Sequence, residues 1–178
     1  GTRYGVRWIS NFILSRAPIR VMPAAPGSSM LGFAPDLYDL DPEEHPFPAS
    51  YVRHFRNLMI DSPIYLQALV DEFRQAGGEI VVRHFDDAAQ INALPEPTVF
   101  NCTGLGAAAL FDDAGMTPVR GQLLVLRPQA DVNYSLLTDR GLYMFPRSDG
   151  ILLGGTHDYG VASLQPDRVR YTKSVFIE

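Results

Sequence analysis

The sequence contains a short glycine-containing turn that could bind an anionic ligand. Residues 101–106 read Asn-Cys-Thr-Gly-Leu-Gly and lie between an apolar stretch and a predicted helix. Unpaired backbone N–H groups at a helix start, with the positive end of the helix dipole behind them, favour an anion such as a phosphate. Gly104 lets a ligand approach the main chain, and Thr103 adds a hydroxyl group. Turns of this composition that bind nothing are at least as common, so the pattern alone leaves both interpretations open.

A second group of residues with binding chemistry lies in a predicted hairpin at residues 142–156. Alternation along the first strand of this hairpin places Tyr143, Phe145 and Arg147 on one face. A tyrosine hydroxyl and a guanidinium beside an apolar ring could receive a carboxylate. An ordinary amphipathic hairpin would have the same alternation, and the pattern does not separate the two interpretations.

The residues that usually perform nucleophilic or metal chemistry form no cluster in the sequence. The single cysteine, Cys102, cannot form an internal disulfide, and we predict a buried core thiol rather than a nucleophile. No Gly-x-Ser-x-Gly motif marks a nucleophilic serine. The histidines at positions 45, 54, 84 and 157 lack the spacing of a metal site. We therefore predict neither a catalytic side chain nor a bound metal.

The hairpin must lie in a sheet, and several other segments have the composition of strands. β-Branched and aromatic residues with rough alternation predict strands at residues 4–14 and 51–60. Residues 17–51 contain seven prolines and are predicted to be irregular, with a short helical turn at residues 36–40. The two β-rich parts of the chain could share one sheet. Beyond Gly115, further strands are predicted at residues 119–127, 133–138, 142–147 and 151–155.

The segment before the turn at 101–106 has the pattern of an α/β unit. Ser62 as a cap, Pro63 in the first turn and apolar residues at helical spacing predict a helix with one buried face. This helix should end at Gly77, and the fold class is predicted as α/β, or mixed α+β. The remaining elements predicted here are strands at residues 79–84 and 98–101, a helical turn at residues 87–92, and a helix after the turn.

Composition and charge restrict the classes of function. The 178 residues are 46% hydrophobic and 20% charged, as in soluble globular proteins. No apolar run approaches the roughly 20 residues that cross a bilayer, and no secretory leader opens the sequence, so we expect a cytoplasmic protein without a membrane partner. The net charge is −5, and residues 61–112 carry two basic against eight acidic residues. This balance argues against a nucleic-acid partner, which requires clustered cations.

Four motifs together resemble the D-amino-acid oxidase family of FAD-dependent oxidoreductases, which includes D-aspartate oxidases and the related glycine oxidases. The resemblance extends from Tyr4 to Asp167. It implies an enzyme that oxidises a D-amino acid, glycine or D-aspartate by hydride transfer to FAD, with O₂ as the acceptor. The motifs occur in the family's order and with similar spacing, and they are Val-Phe-Asn-Cys-Thr-Gly at 99–104, Pro-Val-Arg-Gly-Gln at 118–122, Tyr-Met-Phe-Pro-Arg at 143–147 and Leu-Gly-Gly-Thr at 153–156.

The resemblance also implies roles for individual residues. Tyr143 matches a pocket tyrosine that helps to hold the carboxylate of the amino-acid substrate. Arg147 is either the extra pocket cation that D-aspartate oxidases need or a solvated hairpin residue. A second pocket tyrosine of the family has no clear counterpart, and Tyr134 is a distant candidate for it. The residues matched to the FAD-binding positions are Phe85, Thr103 and Gly104.

The resemblance implies a partial Rossmann-like FAD-binding lobe at residues 61–113 and a mostly antiparallel β-sheet substrate lobe formed by residues 1–60 and 114–178. The Gly-x-Gly-x-x-Gly turn of the family and its carboxylate-binding arginine have no counterpart here. We therefore expect an internal fragment that binds FAD weakly and is inactive by itself. The alternative is a non-catalytic remnant or split half that acts by association, as a homodimer or with a complementing chain. In a eukaryote we expect a peroxisomal protein, although the sequence has no C-terminal peroxisome signal.

Overall fold

The computed structural model describes residues 2–20 and 34–165 of the chain. Two parts of the predictions lie outside the described residues. They are residues 21–33, in the middle of the predicted irregular section, and residues 166–178, at the end of the predicted substrate lobe. The described part contains strands and three helices. The strands are β1 (Val6–Ser15), β2 (Tyr38–Leu40), β3 (Tyr51–Ile60), β4 (Val119–Arg120), β5 (Leu124–Leu126), β6 (Ser135–Thr138), β7 (Tyr143–Arg147), β8 (Gly150–Gly154) and β9 (Asp158–Tyr159), and the helices are α1 (Ser62–Gln75), α2 (Ala88–Asn92) and α3 (Gly106–Phe111).

Seven of the described strands form one sheet in the order β2-β3-β1-β6-β7-β8-β5. Neighbouring strands are antiparallel except for β1 and β6, which are parallel and place Asn11 opposite Ser135. β1 and β3 pair over their whole length, beginning with Val6 opposite Ile60. Strands from both β-rich parts of the sequence therefore lie in one mixed, mostly antiparallel sheet.

The hydrophobic core lies on the face of the sheet that carries Met144. Met144 is opposite Leu136 in one neighbouring strand and Leu153 in the other, so every second residue of these strands contributes to one apolar surface. At the β1 side of the sheet, the rings of Phe12 and Phe47 are 5.1 Å apart. The core cluster consists of buried Met144, Ile151 and Leu153 with Val132, Tyr134 and Leu136 packed against them.

Helix α1 follows β3 directly, and its two ends have clear causes in the sequence. Asp61 is the N-cap residue in an extended conformation, and Pro63 lies in the first turn. The helix ends shortly before Gly77, whose φ of 88° is in the left-handed region that favours glycine. The predicted cap at Ser62 is wrong by one residue, because Ser62 is already helical.

The apolar side of α1 is exposed in the described structure. Leu66, Leu69 and Phe73 retain 59%, 42% and 50% of their accessible surface, and no residue of the helix is buried. The prediction of a buried face is therefore wrong for the described residues, because none of them covers this side of the helix.

Residues 79–84 and 98–101 do not form the strands predicted for them. Val82 is 99% exposed and Phe100 is 85% exposed. A strand requires a neighbouring strand to complete its backbone hydrogen bonds, and no described strand pairs with either segment. The coarser prediction of a mixed α/β fold agrees with the sheet and helices, whereas the Rossmann-like arrangement is not confirmed.

Two other local predictions are corrected by pairing between distant strands. Residues 36–40 contain no helical turn, because β2 pairs antiparallel with β3 and places Leu40 opposite Val52. The strand predicted at 119–127 is divided between two sheets, since β4 pairs with β9 and β5 pairs with β8.

The short helix predicted at 87–92 is confirmed as α2. The carboxylate of its N-cap residue Asp87 accepts a hydrogen bond from the backbone N–H of Gln90 at 2.9 Å.

Candidate functional site

Tyr143 lies at the start of β7, on the face of the sheet opposite Met144. Its partner in β8 is Gly154. A Cβ atom built on Gly154 would fall closer than 3.0 Å to the ring and hydroxyl atoms of Tyr143. The ring therefore lies across the glycine, and a side chain at position 154 would displace it. The Phe145 ring is 5.0 Å away at an interplanar angle of 33°, so the two rings form one apolar wall.

Arg147 shares this face of β7, as the alternation predicts, but its guanidinium is held by Asp149. Its Nε donates to Asp149 Oδ1 at 2.8 Å, and its Nη2 donates to Asp149 Oδ2. The hydrogen bonds raise the pKa of Arg147 and lower the pKa of Asp149 from their ordinary values. The Cα atoms of Tyr143 and Arg147, four residues apart in a strand, are about 13 Å apart. Asp149 occupies only two of the five N–H donors of the guanidinium, through Nε and Nη2.

The turn at 101–106 is organised by the side chain of Asn101. Its Oδ1 accepts hydrogen bonds from the backbone N–H of Thr103 at 3.1 Å and from the hydroxyl of Thr103 at 2.7 Å. Gly104 has a φ of 56°, and no atom lies within 4 Å of a Cβ built on it. The main chain at Gly104 is thus open to a ligand, and its φ lies in the left-handed region that favours glycine. The turn fits a polar group of a large cofactor, although α3 behind it has only six residues.

Phe85 follows residues 79–84 in an irregular stretch. It is half-buried, and the guanidinium carbon of Arg83 lies 5.0 Å from its ring centroid. This cation–π contact orders the two side chains locally. The predicted site residues therefore lie in two kinds of structure. The sheet contains Tyr143 and Arg147, whereas irregular segments contain Phe85, Thr103 and Gly104. No hydrogen bond or ring contact among the described residues joins the residues of the irregular segments to Tyr143.

Two other residues considered from the sequence have different surroundings from those predicted. Cys102 is exposed, so the prediction of a buried core thiol is wrong. Tyr134 packs against the core, and its ring lies 5.7 Å from Phe12 and 5.9 Å from Phe47 in edge-to-face arrangements. Tyr134 is therefore part of the packing around the core and does not lie beside Tyr143 as a second pocket tyrosine would. A groove of about 570 Å³ beside α1 contains none of the predicted site residues and is lined by Arg3, Pro63, Ile64, Gln67, Ala68, Asp71 and Gln75.

A polar network connects two of the sequence motifs. The backbone N–H of Gln122 donates to the hydroxyl of Thr156 at 2.7 Å, and Gln122 Nε2 donates to Asp158 Oδ2 at 3.3 Å. Arg120 donates to the same Asp158 oxygen from Nε at 3.2 Å and from Nη2 at 3.0 Å. The motifs at 118–122 and 153–156 therefore stabilise each other. The sequence contains both motifs but carries no signal of this contact.

A second polar pair was missed because its members are far apart in the sequence. The Ser135 hydroxyl donates to Asn11 Oδ1 at 2.8 Å, and both residues are only 2% exposed. The parallel register of β1 and β6 places them opposite each other on the Tyr143 face. Burial of both polar groups is tolerated because they are bonded to each other.

The described residues contain no group of three or more His, Cys, Asp or Glu side chains placed to hold a metal ion. None of the helices in residues 2–20 and 34–165 is long and apolar enough to cross a membrane.

Comparison with known proteins gives consistent matches. A family model described as FAD dependent oxidoreductase, DAO, matches residues 26–176. The chain is 35% identical to a D-amino-acid oxidase of Dictyostelium discoideum over 120 residues, which are 66% of this chain and 34% of the relative. It is 35% identical to the human D-aspartate oxidase over 115 residues, which are 64% of this chain and 33% of the relative.

A third relative matches along more of the chain. A D-amino acid oxidase of the planarian Dugesia ryukyuensis is 27% identical over 169 residues, which are 93% of this chain and 48% of the relative. The chain thus spans about a third to a half of the length of the curated relatives that it matches.

Proposed function

Because the chain belongs to the DAO family of FAD-dependent oxidoreductases, we propose that it takes part in the oxidative deamination of a D-amino acid, of glycine or of D-aspartate. In this proposal residues 61–113 contribute to FAD binding, and residues 1–60 with 114–178 contribute to substrate binding. O₂ is the proposed electron acceptor. The observation that carries the proposal is the position of Tyr143, whose ring is set across Gly154 and beside the ring of Phe145.

The proposed role of Tyr143 is to orient the substrate. Its hydroxyl would donate a hydrogen bond to the substrate carboxylate, and Phe145 would provide an apolar wall beside the substrate side chain. Packing of the ring on Gly154 fixes the direction of the hydroxyl before the substrate arrives, which reduces the entropy lost on binding. No side chain is proposed as an acid or base.

Arg147 has a conditional role in the proposal. Asp149 neutralises its charge in the described structure, so a substrate with a second carboxylate would either share the guanidinium with Asp149 or displace it. A neutral D-amino acid would leave the ion pair intact.

The cofactor of the proposal is FAD, which, when bound, accepts the hydride from the substrate α-carbon. The open main chain at Gly104 and the adjacent Thr103 would contact it, and the backbone at Phe85 would lie near its adenine end. The unobstructed space at Gly104 supports this assignment, because a residue with a side chain would limit close approach.

The proposal is tested by anaerobic titration of the chain with FAD and D-alanine. If this chain by itself performs the reaction, flavin fluorescence is quenched on binding and flavin absorbance is lost as D-alanine is added, whereas the inactive fragment expected from the missing motifs leaves the flavin absorbance unchanged. In Tyr143→Phe the D-alanine concentration for half-maximal bleaching should rise about 10- to 100-fold, because a hydrogen bond to a charged group contributes about 1.5–3 kcal/mol.

Tyr51→Phe, a change at a half-exposed residue at the start of β3, is the matched control and should leave that concentration unchanged. Flavin that is bound but not bleached, or an equal response of the two variants, would contradict the proposal.

Association with a partner chain is the second candidate, and the exposed apolar side of α1 supports it. Leu66, Leu69 and Phe73 present a contiguous helical stripe that a partner could cover. Light scattering should then give a mass above that of one chain, and Leu69→Glu should lower it. A monomeric mass for the unchanged chain across the micromolar range would reject this candidate.

A further inference from the structure

Asp61, the residue between β3 and α1, carries a buried carboxylate that the proposed function does not use. The residue is only 2% exposed. Its Oδ2 accepts a hydrogen bond from the backbone N–H of Ser148 at 2.9 Å, whereas its Oδ1 has no hydrogen-bond partner among the described residues. A carboxylate that is buried with one oxygen unpaired has a substantial desolvation cost, so its retention calls for a reason.

The main chain of Asp61 is fixed on both sides. Its N–H donates to the carbonyl of Gly5 at 2.9 Å, and its carbonyl accepts from the N–H of Tyr65 at 2.9 Å. Gly5 is packed so closely here that a Cβ atom on it would lie 2.9 Å from Cβ of Ile64. The backbone of Asp61, which carries the carboxylate, is therefore held in place where β1, β3 and α1 meet.

The partner of the carboxylate lies in another part of the sheet. Ser148 is in the turn between β7, which carries Tyr143 and Arg147, and β8, which carries Gly154. The hydrogen bond joins positions 87 residues apart in the sequence. It connects the segment that leads to Phe85 and Thr103 with the hairpin that carries Tyr143.

The charge of Asp61 has a second effect on the same hairpin. Together with the larger effect of Asp149, it favours the charged form of Arg147 and raises the pKa of that guanidinium. Asp149 makes the hydrogen bonds to Arg147, and Asp61 acts on it only through its charge. Although Asp61 is the N-cap residue of α1, its side chain makes no capping hydrogen bond.

We propose that Asp61 is a positioning residue that fixes the β7–β8 hairpin against the start of α1. Through its bond to Ser148 it sets the orientation of the Tyr143 face relative to the segment that carries the proposed FAD contacts. The functional part of this inference rests on the proposed function, whereas the structural part does not.

The structural part is tested by distance measurement between spin labels in the complete chain. Labels are attached to Gln67→Cys on the exposed surface of α1 and to Arg127→Cys, an exposed residue directly after β5, in a Cys102→Ser background. Double electron–electron resonance then reports the distribution of distances between α1 and the β5–β8–β7 part of the sheet. We expect Asp61→Ala to broaden this distribution at least about twofold, and Asp61→Asn, which keeps an acceptor for Ser148, to restore most of the original width.

The matched control is Asp139→Ala. Asp139 Oδ2 also accepts a backbone N–H, from Arg16 at 3.0 Å, but it lies beyond the opposite end of β1. This control should leave the distribution unchanged. Equal widths for Asp61→Ala and the unchanged chain would overturn the proposal.

If Asp61→Ala does not fold, hydrogen exchange of the unchanged chain decides the question. The Ser148 amide should exchange at least about tenfold more slowly than the exposed Asp149 amide next to it, and equal rates would overturn the proposal.

The effect of Asp61 on substrate binding is measured separately, in the FAD and D-alanine titration. Asp61→Ala should raise the D-alanine concentration for half-maximal bleaching more than it changes the bleaching rate at saturation, and Asp61→Asn should recover the lower concentration. Because the distances are measured without flavin, an absence of flavin binding would reject the proposed function and leave the positioning role to be judged by the distances alone.

Discussion

The sheet and the segment at 61–113 contain similar apolar patterns but differ in what those patterns bury. In the sheet, Ile151 keeps 2% of its accessible surface, because Met144 and Leu153 on neighbouring positions enclose it. In the segment, Leu66 keeps 59%, although it lies at helical spacing with other apolar residues. A periodic pattern therefore defines which face of an element is apolar, while burial depends on a second element that covers the face.

The same difference separates the two halves of the candidate site. Tyr143 is set in a strand that is paired on both sides, with its ring seated on Gly154. Thr103 and Gly104 lie in an exposed turn whose described contacts are local, from Asn101 to the first turn of α3. The proposed substrate half is thus organised by long-range contacts and the proposed cofactor half by local ones.

The largest expected difference in stability between the two regions comes from replacing one apolar side chain by alanine in each of them. Ile151→Ala should lower the free energy of unfolding by about 2–5 kcal/mol, because it leaves a cavity in a packed core. Leu66→Ala should change it by no more than about 0.5 kcal/mol, since an exposed leucine loses little contact. Urea denaturation followed by circular dichroism measures both, and similar losses in the two variants would abolish the contrast.

A smaller effect is expected from adding a methyl group at a glycine in each region. Gly154→Ala should destabilise the chain by about 1–3 kcal/mol, because the new atom would collide with the ring of Tyr143. Gly106→Ala should be neutral or stabilising by up to about 1 kcal/mol, since its nearest neighbour is an ordinary 3.5 Å contact with Thr103 and alanine favours a helix. Thermal denaturation gives both values, and opposite signs are the expected result.

The smallest effect concerns an ion pair at the edge of the sheet. Arg53 Nε donates to Asp39 Oδ1 at 2.6 Å, and this bond lowers the pKa of Asp39 below 3.8. Because the folded pKa is the lower one, the pair contributes stability above the unfolded pKa and loses it as the pH falls through the folded pKa. The Asp39 side chain is 63% exposed, so screening limits the contribution to about 1 kcal/mol or less.

Denaturation at several pH values measures this contribution. Asp39→Asn should be less stable than the unchanged chain at pH 6, and this difference in stability should shrink as the pH is lowered toward 2. In the segment at 61–113, Asp86→Asn should have no effect at either pH, because Asp86 and its partner His84 are both largely exposed. A pH-independent difference for Asp39→Asn would contradict the assignment.

The parts of the fold that were predictable from the sequence depend on local rules. Alternation placed Tyr143, Phe145 and Arg147 on one face of a strand, and the burial along β7 confirms that shared face. The helix from 62 to 75 followed from Pro63 and from the glycines after its end. Each of these features depends on one continuous stretch of sequence and on no contact with a distant part of the chain.

The parts that were not predictable depend on which segments meet. Residues 38–40 form a strand because β3 offers them a partner, and residues 79–84 do not because no described strand does. The sequence predicted Ser62 as the helix cap in place of Asp61, and it carries no signal that Asp61 accepts from Ser148, which is 87 positions away. The roles of Phe85, Thr103, Gly104, Tyr143 and Arg147 in binding stay predictions.

The parallel pairing of β1 with β6 has a consequence for how the chain folds. Asn11 and Ser135 are 124 positions apart. The pairing of β1 with β3 can therefore form early, whereas the other edge of β1 stays unpaired until the second half of the chain has been synthesised. Closing so long a loop is entropically costly and slows folding. During that interval the open edge of β1 can pair with another nascent chain, so slow synthesis of the second half would favour aggregation at this step.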